Sequence, residues 1–179
     1  MYGHQGIVFE FESRKSSVMR RRQPFDVESL RPISGSCFIC EFVKGNPKYG
    51  HVEIARTDYA VAFMNKYPTL EGYVLVAPTE HLEQVTGDMD ETDYLELQKF
   101  IYRMAEAVRS VMHPERVYIL SLGSQAANSH VHWHIAPIPP GLPLEEQQYH
   151  ALMHEYGAVE VSNSEQERLA ERIRSAMPG

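Results

Sequence analysis

The sequence predicts an α+β domain in which an antiparallel sheet of about five strands is covered by one long helix. Three observations carry that reading: short alternating apolar runs between residues 52 and 78, a helical repeat across residues 90–112, and two more short apolar runs after it. Residues 1–34 mix glycine, serine and charge without periodicity, and Arg14, Lys15, Arg20, Arg21 and Arg22 make them basic, so a flexible basic arm is expected there. Val52, Ile54 and Arg56, then Tyr59 to Phe63 after the Thr57-Asp58 turn signal, read as a hairpin. Tyr73 to Ala77 is a third strand, closed by Pro78. Between Asp90 and Met112, Tyr94, Leu97, Ile101, Met104, Val108 and Val111 recur at helical spacing, and Pro114 stops the helix. Val117 to Leu122 and His130 to Ile135 supply the last two strands, separated by a loop rich in Gly, Ser, Gln and Asn. After the breaker Pro139-Pro140-Gly141, a final helix is expected over Glu165 to Ala176, capped by Ser162 or Ser164, with Leu169 and Ile173 as its apolar stripe. The expected organisation is therefore an arm (1–34), a domain (35–140) and a C-terminal extension with a helix (141–179).

The chain's 179 residues suffice for one sizeable core, and its 43% hydrophobic and 23% charged content is that of a folded globular protein. A formal net charge of −7 argues against duplex DNA or an anionic membrane as partner. With no apolar run long enough to cross a bilayer, a soluble cytoplasmic protein is expected, with neither membrane nor nucleic acid among its partners. The two cysteines, Cys37 and Cys40, are spaced too tightly to staple a fold of this size, which leaves metal or redox chemistry.

The chemistry concentrates in His130-Val131-His132-Trp133-His134-Ile135. Side chains alternate along a strand, so the three imidazoles should share one face about 6 to 7 Å apart, with Val131, Trp133 and Ile135 on the other. A neutral imidazole whose one nitrogen is hydrogen-bonded to a carbonyl can attack phosphorus with the other, and His132 sits centrally for that. His134, protonated part of the time, would then stabilise phosphate oxygens or protonate the leaving group. The loop from Gly123 to Asn128 would add neutral donors. Two other readings of these residues stay open, a catalytic zinc site shared by the alternating histidines and a set of sheet histidines without a chemical role.

The stretch His130 to Ala136 resembles the signature of the histidine-triad family, and the likeness extends over residues 37–140. It includes Ala62-Phe63-Met64-Asn65-Lys66-Tyr67-Pro68 and Glu71-Gly72-Tyr73-Val74-Leu75-Val76-Ala77-Pro78. The resemblance implies a histidine-triad fold and a nucleotidyl hydrolase cleaving at the α-phosphate of a purine nucleotide. Its substrate would be a dinucleoside polyphosphate, a nucleoside phosphoramidate or an adenylyl conjugate, and its intermediate a nucleotidyl group on His132, assisted by His130 and His134. It also implies that Asn65 and Phe63 contact the nucleoside, Asn65 at the ribose hydroxyls, where an amide is closer to the branch that cleaves diadenosine polyphosphates. Taken alone, Asn65 is equally a turn residue before Pro68. Many relatives carry Gly-Gln-Ser or Gly-Gln-Thr before the triad, whereas this chain reads Gln125-Ala126-Ala127-Asn128-Ser129. Gln125, Asn128 and Ser124 are the candidates for the remaining phosphate contacts.

Zinc-containing relatives begin with a Cys-x-x-Cys like that of Cys37 and Cys40, and the likeness implies a structural zinc completed by His81 and His130, with no organic cofactor. It implies a homodimer formed through the long helix and an adjoining strand. A phosphorylase or nucleotidyltransferase using the same intermediate, and a nucleotide-binding module without turnover, are the alternative functions.

Overall fold

A computed structural model describes residues 20–26, 36–123 and 128–178. Five strands, β1 (Glu53–Arg56), β2 (Ala60–Met64), β3 (Val74–Pro78), β4 (Arg116–Ser121) and β5 (Trp133–Ile138), form one sheet in the order β1-β2-β3-β5-β4. Every neighbouring pair is antiparallel. The first hairpin turns at Thr57, whose hydroxyl oxygen accepts from Ala60 N at 3.0 Å. β2 and β3 are buried along their whole length, which explains their near-continuous apolar sequence: both faces are covered.

The long helix, α2 (Glu91–Met112), covers one face. Asp90 caps its start by accepting from Asp93 N, and His113 ends it in the left-handed region at φ 49, just before Pro114. Its stripe Leu97, Ile101, Met104 and Val108 packs on Ala62, Val76, Trp133 and Ile135. The final helix, α4 (Asn163–Ser175), adds Leu169 and Ile173 to the same core. Of the two serines proposed as its cap, Ser162 serves, in a reciprocal capping box with Glu165. The opposite sheet face buries Val61, Phe63, Leu75, Ala77, Ala136 and Ile138 under the short helix α1 (Phe38–Val43) and the start of the C-terminal extension, including α3 (Tyr149–Leu152). Register places Phe63 beside Leu75, Leu75 beside His134 and His134 beside Leu120, so one row of this second face runs across four strands.

The strand expected from His130 begins only at Trp133. Val131 N donates instead to Leu82 O at 2.7 Å, which holds the chain away from β4 until Trp133 pairs with Ser121. Residues 20–26 of the expected flexible arm are fixed to the domain. Gln23 makes a two-bond antiparallel bridge with Ala158, and the Arg22 guanidinium donates to Thr69 O, His150 O and Ala151 O at 2.8 to 2.9 Å. The remainder of the arm, apart from residues 20–26, lies outside the described residues. Among the described residues no helix is long and apolar enough to cross a membrane.

Candidate active site

His132 and His134 meet where the chain enters β5, with ring centroids 4.7 Å apart. His132 Nδ1 lies 2.8 Å from His130 O, a carbonyl that can only accept, so Nδ1 carries the proton and Nε2 keeps its lone pair. No described residue hydrogen-bonds to that Nε2. The Ser121 hydroxyl donates to His132 O at 2.8 Å and fixes the backbone of that residue. Burial holds His132 below the ordinary imidazole range, partly offset by the His130 carbonyl, so the ring is neutral near pH 7. The residue is only 4% exposed, less open than a face of alternating strand histidines leads one to expect.

His134 is neutral too, and this corrects its expected part-time cationic role. Burial first, then the neighbouring His132, pushes it down to about 3. The Tyr73 hydroxyl, raised well above its usual range by burial and so firmly protonated, donates to His134 Nδ1 at 3.0 Å. His134 Nε2, which then carries the hydrogen, lies 3.4 Å from Leu122 O, long enough to be a weak tie. Asn128 Nδ2 lies 3.4 Å from His132 Nδ1, but both atoms are donors here, so the two are neighbours without a hydrogen bond. Ser124 and Gln125 fall outside the described residues.

His130 does not join the pair. Its Nε2 donates to Pro78 O at 3.0 Å, which turns the unprotonated Nδ1 toward two sulfurs, Cys37 Sγ at 3.4 Å and Cys40 Sγ at 3.5 Å. Cys40 Sγ lies 3.2 Å from His81 Nδ1, and His81 Nε2 backs onto Glu83 Oε1 at 3.3 Å. The four ligand atoms all fall within 4.8 Å of one another, so Cys37, Cys40, His81 and His130 can hold a metal ion. A tetrahedral ion with usual metal–sulfur and metal–nitrogen bonds has sulfur–nitrogen edges of ~3.5 Å, which these separations match. Each imidazole also has an acceptor behind it, the arrangement that orients a metal-bound histidine. Burial and the adjacent Cys37 thiol raise Cys40 to about 11, a proton-holding cluster that a dication would relieve.

Phe63 lies two strands from His134 in that row, and Asn65, two residues further along the chain, stands beside Tyr73. Phe63 is fully buried and touches the rings of Phe38, Phe42 and His51 at centroid distances of 6.4, 5.0 and 5.0 Å. Asn65 follows β2, and its Oδ1 accepts from Tyr67 N at 2.9 Å, so it is the turn residue that its place before Pro68 allows. Sequence reading did not single out Tyr73 or Ser121. Tyr73 reads as one more strand aromatic, and a serine in a strand carries no signal of the carbonyl it will meet.

These features define an α+β protein with an uncharged imidazole pair at a strand end and a metal-ready knuckle sharing the loop that leads into it. The HIT domain family model matches residues 48–140. Adenosine 5'-monophosphoramidase hnt1 of Schizosaccharomyces pombe is 31% identical over 135 residues, which cover 67% of this chain and 95% of that protein. Adenosine 5'-monophosphoramidase HNT1 of Saccharomyces cerevisiae is 28% identical over 111 residues, covering 59% of this chain and 64% of that one. The fold is shared with a zinc-bound histidine triad family protein from Mycobacterium smegmatis at a TM-score of 0.62 and 20% identity, over 79% of this chain and 92% of that one. The chain belongs to the HIT family.

Proposed function

We propose that this chain is a nucleotidyl hydrolase that acts at the α-phosphate of a purine nucleotide through a nucleotidyl-His132 intermediate. The observation that carries it is the His132 Nδ1 to His130 O contact of 2.8 Å, which leaves Nε2 as the attacking atom. Nε2 forms a bond to phosphorus while the bond to the leaving amine breaks, and the amine takes a proton from solvent as it departs. Water then attacks the same phosphorus, the bond from phosphorus to Nε2 breaks, and a proton returns to solvent as the free ring is restored. Neutral His134 contributes an Nε2–H donor to a phosphate oxygen rather than a positive charge. His132 is nearly enclosed, so the phosphate enters along the more open His134 side. The yeast relatives' names favour a nucleoside phosphoramidate over a dinucleoside polyphosphate among the possible substrates. Asn65 keeps its Nδ2 for the ribose, and Asn128 and residues 124–125 supply the remaining phosphate contacts.

The test uses adenosine 5'-phosphoramidate. Rapid quenching in alkaline denaturant followed by peptide mass mapping should find an adenylyl group on His132. Turnover with the adduct on another residue, or with none trapped while water is the acceptor, overturns the mechanism. Added phosphate that diverts the product to a nucleoside diphosphate would assign the chain to the phosphorylases instead.

Tyr73→Phe should lower kcat by about three- to tenfold, the value of one hydrogen bond that sets His134's tautomer, with KM nearly unchanged. Steady-state rates equal to those of the parent would show that the tyrosine has no part in catalysis.

The Cys37, Cys40, His81 and His130 set fits zinc. Bound there, the ion ties α1 to the sheet and supplies no reacting group, because it closes its shell on protein ligands. Pairing into a homodimer would use Leu95 and Tyr102 of α2, 49% and 65% exposed, and the β4 edge with Ile119, 47% exposed. Sedimentation equilibrium showing a monomer at micromolar concentration would refute the pairing.

A further inference from the structure

Four backbone carbonyls of the turn between β2 and β3 are held by parts of the chain that lie outside the HIT domain match. Asn65 O accepts from Gln166 Nε2 at 3.1 Å, and Tyr67 O from His154 Nε2 at 2.7 Å. Pro68 O accepts from Val159 N at 2.7 Å, and Thr69 O from Arg22 Nε at 2.9 Å. All four donors come from residues beyond 48–140, the span that the family model covers. The Phe25 ring packs on both Tyr67 and His154, with centroids 5.2 Å away in each case. Gln166 is 7% exposed, and Arg22 is half-buried with its other two nitrogens on His150 O and Ala151 O. A turn left to itself would give these carbonyls to water.

The same turn opens on Asn65 and ends at Tyr73, whose hydroxyl holds His134. Asn65 N donates to Tyr73 O at 3.0 Å, so the two ends move together. We infer that Arg22, His154 and Gln166 are positioning residues for the nucleotide: with Val159 N they clamp the 65–73 turn so that Asn65 and the Tyr73–His134 pair face one substrate. The inference rests on reading the site as a nucleotide site. It makes the N-terminal segment around Arg22 and the C-terminal extension working parts of that site, acting through four backbone carbonyls without touching substrate.

The experiment compares the full-length chain with His154→Phe, which keeps the ring and removes the donor, and with Arg22→Met, with Arg22→Lys as its conservative counterpart. Two readouts are needed, amide hydrogen exchange across residues 65–73 without nucleotide and steady-state hydrolysis of adenosine 5'-phosphoramidate. His154→Phe and Arg22→Met should exchange faster in the turn while α2 stays protected, which also shows that they fold. KM should rise about tenfold with kcat changed less than about threefold, and Arg22→Lys should recover most of the loss. Unchanged exchange in the turn, or faster exchange with KM unmoved, overturns the inference. A parent chain whose 65–73 exchange is not slowed by adenosine 5'-monophosphate, and which hydrolyses nothing, overturns the nucleotide reading of the site itself. In that case the variants' exchange still shows whether the clamp exists.

Discussion

His132→Ala should lower kcat/KM for adenosine 5'-phosphoramidate by about 10⁴- to 10⁶-fold, or about 5 to 8 kcal/mol of barrier. The size of that loss follows from the neighbouring nitrogens. His134 Nδ1 is taken by the Tyr73 hydroxyl, and its Nε2 carries a hydrogen. His130 Nε2 is taken by Pro78 O, while its Nδ1 faces the two cysteine sulfurs. No second lone pair in the cluster can take over. Nucleotide affinity should survive, because the removed ring contributes its attacking atom and little else to the bound state. His132→Asn, closer in volume, guards against a result caused by the cavity that alanine leaves around a residue 4% exposed. A variant keeping more than about a tenth of the parent rate would remove His132 as nucleophile.

If the Cys37, Cys40, His81 and His130 set holds zinc, removing the ion should act on stability first and on turnover only through it. If free zinc stands about a thousandfold above its dissociation constant, binding contributes ~4 kcal/mol to folding. For a domain of this size, a chelator or the Cys37→Ser/Cys40→Ser pair should then lower Tm by roughly 10 °C. The loss falls on α1, because Cys37 caps that helix and Cys40 lies within it. It also reaches His130, whose backbone carbonyl holds the His132 proton while its ring serves the metal knuckle. Calorimetry with and without chelator, paired with metal analysis, measures the shift. A chelator that abolishes activity at once, with Tm intact, would assign the ion to the reaction and overturn a purely structural role.

Much of the sheet is visible in the chain, because β2 and β3 are apolar on both faces and α2 carries its repeat between a capping Asp90 and Pro114. The beginning of β5 is not. Its sequence alternates from His130, but Val131 gives its hydrogen bond to Leu82, 49 residues earlier, and alternation cannot encode a competing partner at that distance. The ligand set at the knuckle follows from family likeness, and the structure brings all four side chains together. His134's charge had to be corrected because desolvation depends on what packs around a ring. Arg22 reads as one more cation in a basic tail, since nothing local announces the three carbonyls it meets.

Trp133 stands between the paired histidines in sequence, yet its side chain is 5% exposed on the opposite face, beside Tyr94 of α2 at a centroid distance of 6.4 Å. It is the only tryptophan in the chain. Its intrinsic emission is thus a one-site optical gauge of the seam between helix and sheet. A red shift reports that seam opening, and ligand arriving on the far side of the strand leaves the colour as it was.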